Sequence, residues 1–173
     1  MTVLIRQAFE EDAPTLAELG AETFVATFGH LYDARDLKAF LEKNHSQIVY
    51  EELLKDPEYG LWIAESEEGE AIGYAVAGPC SLPVPDMPPN SGELARLYLK
   101  KGVQGGGLGA RLLEVALEFL RDRFAHIYLS VYAENFVAQK LYQRFGFVKI
   151  HDYFYMVGEH ADPEWIMELK NGR

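Results

Sequence analysis

Hydrophobic positions along the chain follow two periods. Residues 2–7 (TVLIRQ) alternate as a strand does, and the Asp12, Ala13, Pro14 step then opens a helix, with the Asp12 carboxylate as its cap and proline in its first turn. Leu16, Leu19, Phe24 and Phe28 recur at near-helical spacing up to Gly29 and His30. Two shorter helical patterns cover Asp33 to Lys43 and Ser46 to Lys55, the second with Ser46 as N-cap. Tyr59 to Ser66 and Ala71 to Gly78, joined by the turn EEGE, read as a hairpin. Five of the eight prolines fall between Pro79 and Asn90, which makes that stretch a surface loop with no room for a strand. Glu93 to Lys101 is a strand, and Leu108 to Arg123 is a helix with Arg111, Glu114, Glu118, Arg121 and Asp122 on one side. His126 to Val131 is a strand, Glu134 to Phe145 a helix ended by Gly146, and FVKIHDYFYMV and PEWIMELK two final strands. This order predicts an α/β chain, with a mixed sheet, helices on both faces and a right-handed parallel unit in the middle.

The 173 residues imply one domain over 1–173 that buries enough surface to fold without staples. Sixteen Lys and Arg against twenty-seven Asp and Glu leave a net charge of −11, a field that repels phosphate backbones and anionic headgroups, so neither nucleic acid nor membrane is an expected partner. The same excess would draw in a cationic substrate, although acidic surfaces serve solubility as well. Cys80 is the only cysteine, which excludes an internal disulfide and a thiolate metal site, and no histidine pair has metal-ligand spacing, so no metal is expected. No basic leader or membrane-length apolar run is visible, and a reducing, cytoplasmic location is the expectation.

The most informative stretch is LYLKKGVQGGGLGARLL, Leu97 to Leu113, where a strand runs through three consecutive glycines into an amphipathic helix. Glycine lets a ligand approach the backbone closely, and the first amides of a helix point outward unpaired, so this bend reads as an anion cradle with Lys100, Lys101 and Arg111 nearby. A plain flexible connection is the alternative. A Walker loop is excluded because no Gly-Lys-Ser/Thr ends the run. Gly105, Gly107 and Ala110 do satisfy G-x-G-x-x-A, but Gly102, Val103 and Gln104 separate them from the strand and the remaining chain is short for a doubly wound sheet, which argues against a nicotinamide enzyme.

Gln104-Gly105-Gly106-Gly107-Leu108-Gly109 resembles the Q/R-x-x-G-x-G/A signature of the GCN5-related N-acetyltransferase (GNAT) family. ELARLYL resembles that family's fourth strand, and AENFVAQKLYQRFGF (Ala133 to Phe147) its second signature. ETFVATFGHLY and HDYFYM with WIMELK resemble, more narrowly, bacterial spermine/spermidine N-acetyltransferases. The resemblance implies a GNAT-like sheet of about seven strands, split between the fourth and fifth. It further implies acetyl-CoA as co-substrate, direct transfer to a primary amine such as a polyamine, and a homodimer paired through C-terminal strands. A peptide N-terminal amine is an alternative acceptor, and a catalytically silent acyl-CoA sensor an alternative function.

Carried over, the resemblance has Leu97, Tyr98 and Leu99 lining the pantetheine arm by backbone contacts, as an added strand would. Gln104, Gly105, Gly106, Gly107, Leu108, Gly109 and Ala110 hold the pyrophosphate, with Asn135, Ala138 and Tyr142 completing the cofactor site. Read on its own, Asn135 is a helix cap and Tyr142 a buried structural tyrosine; the resemblance makes Tyr142 the acid that protonates the departing thiolate. An alkyl amine is almost all ammonium at neutral pH, so a base is required, and Glu93 is the candidate, with His30 and His151 competing. Cys80 as an acetyl-carrying nucleophile is the outlying option. Phe24, Phe28, Tyr32, His30 and Tyr153, with Tyr155, Glu22 and Asp33 nearby, are the expected walls of an acceptor pocket in which rings and carboxylates hold an ammonium.

Overall fold

The computed structural model describes residues 2–170. Its strands are β1 (Leu4–Gln7), β2 (Gly60–Glu65), β3 (Ala71–Pro79), β4 (Ser91–Leu99), β5 (His126–Tyr132), β6 (Phe147–Val157) and β7 (His160–Leu169). Its helices are α1 (Ala13–Phe28), α2 (Ala34–Asn44), α3 (Gln47–Lys55), α4 (Leu108–Arg123) and α5 (Phe136–Arg144). The seven strands form one sheet in the order β1-β2-β3-β4-β5-β7-β6. Every neighbouring pair is antiparallel except β4 and β5, which are joined through α4 and run parallel, as the strand–helix–strand pattern predicts.

Both faces of the sheet are covered, which is why β2 and β3 are apolar almost throughout. Trp62 and Ala64 turn to one face, where Leu112, Leu113, Leu117 and Leu120 of α4 and Tyr142 of α5 pack. Leu61 and Ile63 turn to the other, against Leu16 and Leu19 of α1 and Tyr50 of α3. α2 lies over the β6–β7 hairpin, where Phe40 meets Tyr155 edge-on and Gly158 leaves no room for a Cβ beside Asp36.

Most boundaries fall within two residues of the sequence reading, and the exceptions have physical causes. Asp12 does not cap α1 with its side chain: its carboxylate accepts from the Phe9 amide at 2.7 Å and pairs with Arg6 at 2.8 Å, closing a one-turn helix before α1. Ser46 does cap α3, accepting from the Val49 amide. β7 begins at His160, three residues before Pro163, the expected start. The Pro163 carbonyl accepts from Ala133, just past the end of β5, so the missing Pro163 N–H faces that side and interrupts no ladder.

Leu112 is fully buried between α4 and the sheet. Leu112→Ala should lower the unfolding free energy by about 2–5 kcal/mol, read from urea titration, with far-UV circular dichroism unchanged in the native baseline.

Candidate active site

The pairing of β4 with β5 stops early. It runs only from Ser91 opposite His126 to Leu94 opposite Leu129, whereas β4 continues to Leu99 and β5 to Tyr132. β5 then follows β7, and a gap opens in mid-sheet. A β-bulge marks the same point: Val76 faces Arg96 and Ala77 faces Leu94, so Ala95 is an extra residue in β4.

Beyond the bulge, the register decides which main-chain groups enter the gap. The Lys100 amide donates to the Ile72 carbonyl at 2.9 Å, and in the alternating antiparallel pattern Tyr98 and Arg96 therefore also bond to β3. Leu97 and Leu99 direct theirs to the open side. Of the three residues expected to line a pantetheine by backbone, Leu97 and Leu99 can do so and Tyr98 cannot, because its main chain belongs to the β3 ladder. The Leu99 carbonyl meanwhile accepts from Gln104 Nε2 at 3.4 Å.

The glycine bend leads from this edge into α4. Gly105 and Gly107 have φ of +88° and +81°, in the left-handed region, and a Cβ at Gly105, Gly106 or Gly107 would meet open space. Gly107 is the N-cap of α4 and supplies no capping side chain, so the amides of Leu108, Gly109 and Ala110 have no intrahelical acceptor. Of the nearby cations, Lys100 is committed elsewhere, pairing with Glu70 at 2.9 Å and Glu22 at 3.6 Å.

α5 starts beside the end of β5. Asn135 is its N-cap and accepts from the Ala138 amide at 3.3 Å, while Gln139 Nε2 bonds the carbonyls of Tyr132 and Ala133. Tyr142 is buried, edge-on to Phe147, and no hydrogen bond to its hydroxyl is present among the described residues. Burial, with a smaller contribution from Tyr98, pushes its pKa far above the ordinary phenol value, so Tyr142 keeps its proton and has one to donate.

On the opposite face, a cavity of about 300 Å³ lies where the strands part. Phe24, Phe28 and Tyr32 form one wall, Glu93, Ala95, Arg96 and Tyr98 of β4 a second, and Ser130 of β5 sits between β4 and Tyr153, Asp162 and Glu164 of the β6–β7 hairpin. Four of the five expected acceptor residues therefore meet here together with Glu93. His30 does not: it sits exposed on the one-turn helix after α1, outside the lining. His151 does not line the cavity either, Glu22 pairs with Lys100, and Asp33 accepts from the Asp36 amide as the cap of α2.

Glu93 is buried and accepts from the Ser81 amide at 2.9 Å and the Ser81 hydroxyl at 3.3 Å; burial raises its pKa despite both donors. Glu164 accepts from Ser130 Oγ at 3.0 Å, and the Ser130 hydroxyl lies 2.6 Å from that of Tyr153. Burial, supplemented by the negative charge of Asp162, pushes the Glu164 carboxyl up to about 7. Asp162 accepts from the Tyr32 hydroxyl and lies 2.6 Å from His160 Nδ1. Sequence reasoning missed Glu164, Asp162, Ser130 and Arg96. The available signal was polarity inside apolar strands: an arginine in the middle of ELARLYL and a glutamate ahead of Trp165. Among the described residues no cluster of three or more His, Cys, Asp or Glu could hold a metal ion, and no helix is long and apolar enough to cross a membrane.

The architecture has close counterparts. A PaiA N-acetyltransferase from Thermoplasma acidophilum, solved in complex with coenzyme A, has the same fold at a TM-score of 0.76, with 23% identity over 98% of this chain and 99% of that one. An uncharacterised N-acetyltransferase of Lactobacillus delbrueckii subsp. lactis is 27% identical over 167 residues, 96% of each chain. A spermine/spermidine N(1)-acetyltransferase of Bacillus subtilis is 36% identical over 84 residues, 46% of this chain and 54% of its own length. The model of the acetyltransferase (GNAT) family matches residues 22–147, a span that runs from α1 through the glycine bend and Tyr142 to the first residue of β6. A match over that much of the chain makes this protein a member of the GNAT acetyltransferase family, an acyltransferase with acetyl-CoA as its acetyl donor.

Proposed function

We propose that the chain acetylates a small primary amine that arrives as a cation, with acetyl-CoA seated in the gap between β4 and β5. The observation that carries this reading is the placement of Glu93, Asp162 and Glu164 among aromatic rings in one cavity at the end of the β4–β5 pairing. Carboxylates and ring faces both attract ammonium. A polyamine has the acceptor chemistry named for the Bacillus relative, and an α-amine that named for an N-alpha-acetyltransferase of Sulfolobus acidocaldarius, 27% identical over 133 residues. Both present the required cation.

Acetyl-CoA supplies an activated acetyl thioester. The glycine bend fits its diphosphate, since the first amides of α4 are uncapped, the space beside Gly105, Gly106 and Gly107 is open, and residues 102–110 contain no acidic side chain. Leu97 and Leu99 hold the pantetheine arm by main-chain bonds, and the Leu97 amide is a donor for oxygen charge developing beside it. Asn135, through its cap on Ala138, fixes the start of α5 and with it Tyr142. Tyr142 gives its hydroxyl proton to the leaving sulfur. A carboxylate removes the ammonium proton: Glu93, on β4, and Glu164, across the cavity, are the two groups with raised pKa placed to do so. Cys80, half-buried with its thiol pushed up to about 11, stays a thiol and carries no acetyl group.

The reading extends to a cytoplasmic homodimer. Among the described residues β6 is an edge strand whose outer side is unpaired, and it exposes Val148, Ile150, Phe154 and Met156. A second copy of the chain would cover them.

Incubation with acetyl-CoA and a panel of polyamines, amino acids and peptides should release free thiol with at least one amine; silence across the panel would leave only a cofactor-binding module. Tyr142→Phe should lower kcat by about 10²–10⁴-fold while acetyl-CoA binding falls far less. A base must be unprotonated, so with Glu164 as the base kcat/KM should rise through about pH 7 and Glu164→Gln should abolish that limb, whereas a limb that survives in this variant assigns the base to Glu93. Glu164 also binds its proton more tightly folded than unfolded, where its value is near 4.5, so the wild-type melting temperature should drop between pH 5 and pH 8 more than that of the variant. Sedimentation equilibrium should give a dimer, and Phe154→Glu should shift it towards monomer.

A further inference from the structure

Arg96 is a cation in the wall of a cavity that is read as holding a cation. Its Nη1 donates to the Asn44 carbonyl at 2.9 Å and the Tyr50 hydroxyl at 2.7 Å, with His45 Nδ1 at 3.3 Å, and the guanidinium carbon lies 5.2 Å from the Tyr50 ring centre. All of these partners are uncharged. Burial, reinforced by the Arg96 charge, pushes the pKa of His45 down to about 3, so the imidazole is neutral. Glu93, Asp162 and Glu164 share the cavity, yet among the described residues none pairs with Arg96 within 4.0 Å. Nε and Nη2 carry no hydrogen bond within the described residues, and the residue is partly buried.

A guanidinium drawn out of water without an ion pair is costly, and the Asn44 carbonyl and Tyr50 hydroxyl, both on a single nitrogen, satisfy it in part only. The unused edge of the fork is the one that matches a carboxylate or a carbonyl oxygen. The cavity consequently has two poles. Arg96 makes one on β4, and Asp162 with Glu164 makes the other on β7, across the gap between the strands. A polyamine offers only positive charge: a second ammonium can turn to Glu93, which shares the β4 wall, but leaves the open edge of Arg96 without a partner. An amine that also bears an oxygen acceptor a few bonds away satisfies both poles at once.

We propose that Arg96 is a specificity determinant that receives an oxygen of the acceptor on Nε and Nη2 while the reacting amine lies towards Glu164, so that the acceptor is an amino acid or the first residue of a peptide. This deepens the reading of the cavity as the acceptor site and rests on it.

The test compares alanine, alanine amide and dialanine with propylamine and spermidine. Wild-type kcat/KM should be at least tenfold higher for one of the oxygen-bearing amines than for propylamine or spermidine. The ranking among alanine, its amide and the dipeptide separates a free carboxylate from a peptide carbonyl as the group received. Arg96→Gln should lower kcat/KM for the preferred acceptor at least tenfold more than for propylamine. A wild-type enzyme that favours spermidine or propylamine, or a variant that loses all acceptors in equal proportion, overturns the assignment. If Arg96→Gln fails to fold, since Arg96 braces Asn44 and Tyr50, the wild-type ranking decides alone. Were no amine acetylated, the acetyl-transfer reading would fall separately, and melting temperatures with coenzyme A present would decide this one: a larger rise with dialanine than with spermidine supports it, and the reverse overturns it.

Discussion

Four residue pairs hold β4 to β5, and the site depends on their number being no larger. A parallel ladder carried on to Leu99 would consume the main-chain groups of Leu97 and Leu99 and close the sheet. The extra residue at Ala95 prevents this by turning β4 away from β5, which stays paired with β7 along its other edge. The hydrogen bonds forgone inside the sheet are available to a ligand that enters as a strand would. α4 begins at the far end of the same free edge, so one interruption provides both a polar seam and a helix terminus aimed along it.

The two faces of the sheet divide the chemistry. Tyr142 approaches from the face of α4 and α5 and, being buried, holds its proton. The carboxylates approach from the face of α1 and α2, where burial again favours the protonated form: it raises Glu93 above the usual carboxylate range and brings Glu164 up to about 7. The proton donor and the proton acceptor of the proposed reaction thus stand on opposite faces of the sheet. The aromatic wall built by Phe24, Phe28 and Tyr32 lowers the local dielectric and strengthens every charge interaction within the cavity.

Much of this was legible in the sequence, and what was not has a common cause. Three successive glycines ahead of an amphipathic helix state a backbone requirement directly, and the bend lies where they place it. Strand alternation also carried well until the bulge. Counting by twos from Glu93 sets Leu97 and Leu99 on its face, whereas the inserted residue puts Arg96 and Tyr98 there instead. Ala95 gives no sign of this, having neither glycine nor proline beside it. Arg96 and Glu164 were thus visible as polar residues, but their convergence required a register across three strands. His30 failed for a local reason: a single extra turn after α1 sends Tyr32 inward and His30 outward.

The opening in mid-sheet is also a hazard. Strand edges that face water invite foreign chains, and proteins usually blunt them with charge or proline. Here the exposed stretch offers only two residues' worth of main-chain partners, flanked by the glycine bend and by α5, and the Gln104 amide sits across one of the two carbonyls. A polypeptide long enough to seed a fibril finds too short a foothold there, while a slender, flexible arm has all the length it needs.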